Sequence, residues 1–300
     1  MKKKNVVVLG GGFGGVSAAC RLRKILPAEH NVILIDRDRL THLCGMNPAL
    51  IIGERDPRKT TRSLGRLTNR GVKFIQSEIH ELDLESKLIQ TESGPLEYDF
   101  AIIALGADYD WNAVPGSTNA YSFYDFKTAS RFRRKIKRFE KGKIAILVAK
   151  PPYKCPPAPL ETAMLLNWHF RRLSTRKNIE LTLAIPEPGP IGVAGPEASN
   201  SMKAEIEKRD IEMKTQAGVT EVAKNGKEAK LANGESIQAD IIATVPVHIV
   251  PKVIQESGLT GGKPWVPVNS ENLETATKDV FAIGDINSVP FGNDFAIPKA

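Results

Sequence analysis

The chain has 300 residues, 41% of them apolar and 25% charged, with a formal net charge of +8. That length supports two domains with cores of their own, at roughly 150 residues each. No apolar run reaches the roughly 18–20 residues that span a bilayer, and the three cysteines, Cys20, Cys44 and Cys155, are too few and too scattered for a disulfide framework. The basic start MKKKNVVVLGGG has a short apolar segment before its glycines and no small-residue cleavage site, so it reads as a first strand and not as a signal peptide. The chain is therefore expected to be cytoplasmic.

Residues 5–36 fit one strand–helix–strand unit. VVVL is a short buried strand, GGGFGG follows at once, VSAACRLRKIL is a helix, and NVILID is a second strand that ends in Asp36. Gly10, Gly12 and Gly15 stand in G-x-G-x-x-G spacing. The first permits a tight turn, the second lets a pyrophosphate approach the backbone, and the third lets helix and strand pack closely. The helix N-terminus then turns its positive end to the phosphates, and Asp36 is placed for ribose hydroxyls, which argues against a 2′-phosphate. Cys20 falls on this helix among small residues and reads as packing.

From Asp36 to Tyr98 the pattern predicts a loop, a helix and a meander. Arg58, Arg62, Arg66 and Arg70 recur every four residues, which predicts one solvated helix face. The short alternating segments after Gly71, with a turn at Ser93-Gly94-Pro95, predict a small sheet. YDFAIIALGAD, 98–108, is a buried strand that ends in a small-residue turn, and TKDVFAIGD, 277–285, is another. Between them RFRRKIKRFEKGK, 131–143, carries eight basic residues and one acid. Its ordinary reading is a solvated helix face. An anionic membrane surface is the alternative, and nucleic acid is disfavoured because no recognition module accompanies it.

A second strand–turn–helix begins at Gly142. KIAILVA is a strand and LETAMLLNWHFRRL a helix, but the turn between them is KPPYKCPPAP. Its prolines remove backbone donors and it offers no glycine for close approach of a phosphate, so nicotinamide dinucleotide binding in the usual manner is not expected. A strand (IELTLAIP) and a helix (EASNSMKAEIEKR) follow. Cys155 is held among prolines just before a helix N-terminus, a setting that favours a thiolate. Glu161, six residues on, reads either as a proton acceptor or as an ordinary acid at the helix start.

The ordered set GGGFGG, ALGA and FAIGD resembles the two-dinucleotide-binding-domain flavoproteins. CPPAPLE, LCGMNPALIIGE and NSENLETATKDVFAIGDIN narrow the resemblance to the branch of sulfide:quinone oxidoreductases and flavocytochrome c sulfide dehydrogenases. The resemblance implies an α/β fold of two Rossmann-like domains, the second inserted in the first: 1–113 and 235–300 for FAD, and 114–234 with a degenerate nucleotide loop. It implies FAD held by Gly10, Gly12, Phe13, Gly14, Gly15, Asp36, Ile79, Gly106, Gly284, Asp285 and Lys299. Cys44 stands at the place of the covalent flavin cysteine, so the link is one form that the attachment takes. Cys155 and Glu161 are the implied catalytic residues, sulfide the substrate, quinone or a cytochrome the electron acceptor, and the inner face of the membrane a site of peripheral association. No metal is implied.

Two departures from the branch stand beside these expectations. The second redox cysteine and the C-terminal part of such proteins have no counterpart before Ala300, and GSTNAYSFYDF lacks the cysteine found there in many quinone-linked members. Type II NADH:quinone oxidoreductase chemistry and a non-catalytic or truncated flavin-binding remnant are therefore the rival readings. The absent second glycine triplet counts against the former.

Overall fold

The computed structural model describes residues 2–291 and 295–297. Its regular elements, in chain order, are β1 (Asn5–Leu9), α1 (Phe13–Ile25), β2 (Asn31–Asp36), β3 (Lys73–Gln76), β4 (Phe100–Ile103), α2 (Phe126–Ile136), β5 (Gly142–Val148), α3 (Ala158–Arg172), β6 (Ile179–Ala184), α4 (Pro196–Glu207), β7 (Ile211–Lys214), β8 (Ile241–Val245) and β9 (Val280–Ala282). Short strands and 3-10 turns fill the intervals.

The chain divides into two compact units. One holds the residues up to His42, Thr61–Asp108 and those from Ile249 on; the other holds Leu43–Thr60 and Tyr109–His248. The first contains a five-stranded sheet in the order β9-β4-β1-β2-β3, parallel throughout. Both faces are covered, so the strands read as unbroken apolar runs with no polar alternation. Val7, Leu9, Ile33, Ile35 and Ile103 face one layer, with Ile254 and Trp265 packed over them. Val8, Val32 and Leu34 face the other, against Ala19 of α1 and Leu64. A three-stranded antiparallel meander, Ile79–Asp83, Leu88–Thr91 and Gly94–Glu97, belongs to this unit.

The second unit contains a four-stranded parallel sheet in the order β7-β6-β5-β8. Phe132 and Ile136 of α2 and Leu166 and Phe170 of α3 are buried with Ile144, Ile146 and Val148 of β5. Asp125 caps α2 by accepting the Thr128 N–H at 2.8 Å, and α3 starts with proline in its first turn, where a missing N–H costs nothing. A second antiparallel meander, Val219–Val222, Glu228–Leu231 and Ser236–Gln238, completes the unit.

Two local expectations fail. The arginines at 58, 62, 66 and 70 do not share a helix face. Pro57–Lys59 is one 3-10 turn, Thr61–Ser63 pairs with Leu40–His42 as a strand, and Leu64–Arg70 is a second 3-10 stretch that Gly71 ends at φ +78°. β-Branched Thr60 and Thr61, together with Gly65, interrupt any continuous helix. The segment Leu43–Thr60, part of the loop after β2 that the sequence assigns to the FAD domain 1–113, packs instead in the second unit. Its apolar run Leu50–Ile52 is buried with Phe123 and Phe132. The Asn47 side chain donates to the Phe123 carbonyl at 2.8 Å, and Glu54 pairs with Arg172 at 2.7 Å.

Candidate functional site

In the first unit the glycine loop joins β1 to α1. Gly10 has φ +105°, and a Cβ there would lie 2.4 Å from the Ala104 carbonyl oxygen; a Cβ on Gly15 would lie 1.8 Å from the Gly10 oxygen. These two glycines are required by packing alone. Gly12 differs: among the described residues a Cβ there would meet nothing within 4 Å. It caps α1 without a side-chain hydrogen bond, and the first turn holds no acid. The first amides of α1 therefore face open space with the positive end of the helix behind them. That is the cradle a pyrophosphate needs, and the residues present fit FAD there.

Asp36 closes the same loop. One carboxylate oxygen accepts the Gly11 N–H at 2.5 Å and the other accepts the Asp38 N–H at 2.7 Å. Burial raises its carboxyl above the usual range, and the two N–H donors work against that rise. Each oxygen keeps a lone pair for a ribose hydroxyl. Phe13 is 59% exposed at the mouth of the loop, and a Cβ on Gly14 would touch the Ile283 side chain at 3.4 Å. Gly106 and Gly284 both adopt positive φ, +69° and +80°, at the ends of the strand segments that reach β4 and β9. Asp285 lies half-buried in the 3-10 turn Gly284–Ile286. Ile79 opens the meander, half-buried and paired with Thr91. Lys299, with Pro298, lies outside the described residues.

The second unit holds the cysteines of interest. Cys155 sits on the proline turn between β5 and α3, exposed and at φ +50°. Its carbonyl accepts the Ala158 N–H at 2.9 Å and the Tyr124 hydroxyl at 3.3 Å. The Tyr109 hydroxyl in turn donates to the Tyr124 carbonyl at 2.9 Å. The Lys154 ammonium lies 5.0 Å from the centre of the Tyr109 ring, a cation–π distance. Glu161 occupies the first turn of α3 with its side chain exposed, and nearby protein atoms desolvate its carboxyl enough to raise it. Cys44 starts a 3-10 turn and is half-buried.

Sequence reasoning missed what surrounds this turn. The Tyr109, Tyr124 and Tyr153 rings stand 5.0, 5.1 and 6.4 Å from the ring of His248. His248 is buried, its Nδ1 lies 2.9 Å from the Pro246 carbonyl, and among the described residues its Nε2 has no hydrogen-bond partner. Burial pushes the imidazole down to about 4, so it is neutral at physiological pH. Burial also raises all three phenols. Glu187 adds to the rise at Tyr153 by its charge and a hydrogen bond, whereas Lys154 restrains the rise at Tyr109. The turn therefore rests on a neutral, proton-holding aromatic bed. The available signal was the pair Tyr153-Lys154 beside Cys155.

Among the described residues no cluster of His, Cys, Asp and Glu is placed to hold a metal ion, and no helix is long and apolar enough to cross a membrane.

The family described as pyridine nucleotide-disulphide oxidoreductase matches residues 4–148 and 160–297. The interval it skips contains the proline turn and Cys155. The mitochondrial sulfide:quinone oxidoreductase of Mus musculus is 25% identical over 299 residues, covering 95% of this chain; the chain spans 66% of that protein, just under two thirds. A type II NADH:quinone oxidoreductase of Staphylococcus haemolyticus is 22% identical over 99% of this chain and 78% of its own length. Among solved structures, the sulfide:quinone oxidoreductase of Aquifex aeolicus superposes with a TM-score of 0.87 at 23% identity, covering 99% of this chain and 72% of that one.

Proposed function

The chain belongs to the pyridine nucleotide-disulphide oxidoreductase family and is by that membership a FAD-dependent oxidoreductase; on this premise we propose that its electron donor is sulfide, taken at Cys155, and its acceptor a quinone. The observation that carries the reading is the replacement of a second phosphate loop by an exposed cysteine on a proline-fixed turn at a helix start. A loop without glycines and with few amide donors is poorly suited to a second dinucleotide, and a thiol there is suited to sulfur chemistry.

Gly10, Gly12, Phe13, Gly14, Gly15, Asp36, Ile79, Gly106, Gly284, Asp285 and Lys299 are the proposed FAD contacts, with the open backbone at Gly12 taking the pyrophosphate and Asp36 the ribose. FAD, when bound, supplies a two-electron acceptor. The Cys155 Sγ takes the sulfide sulfur: one S–H bond on each sulfur breaks, one S–S bond forms, and two protons and two electrons leave, the electrons to the acceptor that bound FAD would supply. Glu161, its carboxyl already raised by desolvation, accepts one of these protons. Tyr124 and the Ala158 N–H hold the cysteine backbone in place during the exchange. The names of the relatives support quinone as acceptor over a cytochrome. Peripheral association at the inner face of the membrane is part of the same proposal.

Sulfide added anaerobically to the FAD-loaded protein is expected to bleach the flavin absorbance, and Cys155→Ala to abolish the bleaching. If sulfide leaves the flavin oxidised and NADH bleaches it, the sulfide reading is wrong and the NADH:quinone reading replaces it. If neither reductant acts and FAD is held weakly, the chain is a non-catalytic remnant. Acid precipitation reads the attachment at Cys44: flavin left wholly in the supernatant excludes a covalent link.

A further inference from the structure

We propose that the exposed face of α2 is an electrostatic docking surface for acidic phospholipid. Lys127, Arg131, Arg134, Lys135 and Arg138 are all exposed, and their spacing along 127–138 puts them on one side of the helix. The opposite side is committed to the core, with Ala129, Phe132 and Ile136 fully buried. The helix thus has no apolar face left to insert in a bilayer and presents only cations. None of these five side chains makes an ion pair among the described residues, although fourteen other pairs are formed there. Helix-dipole compensation accounts for charges in the last turn; it does not account for Lys127 or Arg131.

The stripe borders a shaped recess. Tyr121, Arg131, Arg134, Lys135, Arg138 and Phe139 line a groove of about 420 Å³, and Lys135 and Phe139 continue into a second of about 590 Å³ that Lys141 and Lys227 also line. The groove has a firm floor. Tyr121 is tied to β8 by backbone hydrogen bonds to Ile242 and Thr244, at 2.9 and 2.8 Å, and its ring stacks on buried Phe132 at 5.3 Å. Arg131 lies over the Tyr121 ring at 5.7 Å. The acids of this region are Asp125, whose carboxylate is engaged in capping α2, Glu140, and Asp240, which lines the second groove and pairs with Lys227 at 4.0 Å. The charges extend along three helical turns, which suits an array of headgroups better than one phosphate. The half-buried aromatic rings at the edge suit the headgroup layer. Nucleic acid is the competing polyanion, but the Tyr121 ring is already engaged by Phe132 and Arg131, and Phe139 meets Phe170 edge-on at 6.4 Å, which leaves a poor platform for bases.

The proposal deepens the peripheral placement given above and does not depend on the sulfide chemistry. The test is sedimentation of the protein with vesicles of phosphatidylcholine alone or containing about one third phosphatidylserine. Binding is expected only to the acidic vesicles, weakening as salt shortens the Debye length. The combined variant Arg131→Glu, Arg134→Glu, Lys135→Glu and Arg138→Glu is expected to lose affinity by about a hundredfold or more. A control with the same change in net charge, Arg21→Glu, Lys24→Glu, Arg66→Glu and Arg70→Glu, is expected to lose far less. Should the fourfold variant misfold by circular dichroism, Arg134→Gln with Arg138→Gln supplies the milder reading, a loss of roughly tenfold. Equal losses in the two fourfold variants, or none, overturn the proposal. So does release by inorganic phosphate at constant ionic strength, or tighter binding to duplex DNA than to acidic vesicles. Vesicle binding by a protein whose flavin sulfide does not bleach would sink the redox reading alone.

Discussion

The Tyr124 hydroxyl donates to the Cys155 carbonyl at 3.3 Å and so ties the proline turn to the segment before α2. Cys155 sits at φ +50°, a left-handed conformation that a non-glycine residue keeps only when its surroundings hold it. Two hydrogen bonds on one carbonyl, from Tyr124 and from the Ala158 amide, supply that hold. Tyr124→Phe removes one of them and keeps the ring against His248. The expected cost is about 1 kcal/mol of stability, a fall in Tm of roughly 2 °C. Alkylation of Cys155 by a maleimide, followed on its own peptide by mass spectrometry, is expected to accelerate by roughly threefold as the turn loosens. An unchanged alkylation rate would show that the tyrosine does not restrain the cysteine.

His248 makes the second unit sensitive to acid. Its imidazole is pushed down to about 4 by burial, against about 6.5 in the unfolded chain. Between those values the unfolded state binds more protons than the folded one, so stability rises with pH through this window. The contribution is complete above pH ~6.5 and is lost progressively down to about pH 4, about 3 kcal/mol in all. His248→Asn keeps a donor for the Pro246 carbonyl and removes the titration. Urea melts of the two proteins from pH 7 to pH 4 are expected to show a shallower acid slope in the variant. Parallel slopes would mean that carboxylates alone set the acid response.

How much of this was legible in the sequence depended on whether the constraint was local. β1, the glycine loop, α1 and β2 follow one another without a break over positions 5–36, and Gly15 answers to the Gly10 oxygen five residues before it, although Gly10 itself answers to the distant Ala104. The proline turn was legible for the same reason: prolines remove donors wherever the chain goes. The bed beneath Cys155 was not. Tyr109, Tyr124, Tyr153 and His248 come from four separate segments, and a lone histidine in an apolar stretch reads as core until its neighbours are known. The segment 43–60 was misplaced because an apolar run such as Leu50–Ile52 specifies burial without naming the core that receives it. The arginines at four-residue spacing misled because spacing predicts a helix only where propensity permits one.

The glycine loop separates packing from ligand binding. A Cβ on Gly15 would fall 1.8 Å from the Gly10 carbonyl oxygen, a backbone atom that cannot swing aside, so α1 would have to move off β1. Gly15→Ala is expected to destabilise the first unit by about 3 kcal/mol or more, read as a lower denaturation midpoint even without flavin. A Cβ on Gly12 would meet no atom of the described residues within 4 Å, so Gly12→Ala is expected to leave the melting of the flavin-free protein within about 1 °C of the parent. The added methyl fills the space in front of the first α1 amides, and FAD affinity measured by fluorescence titration is expected to fall at least tenfold. The pair divides the triplet into a residue that builds the loop and a residue that leaves room for the ligand. Equal FAD affinity in Gly12→Ala and the parent would remove the pyrophosphate from this loop.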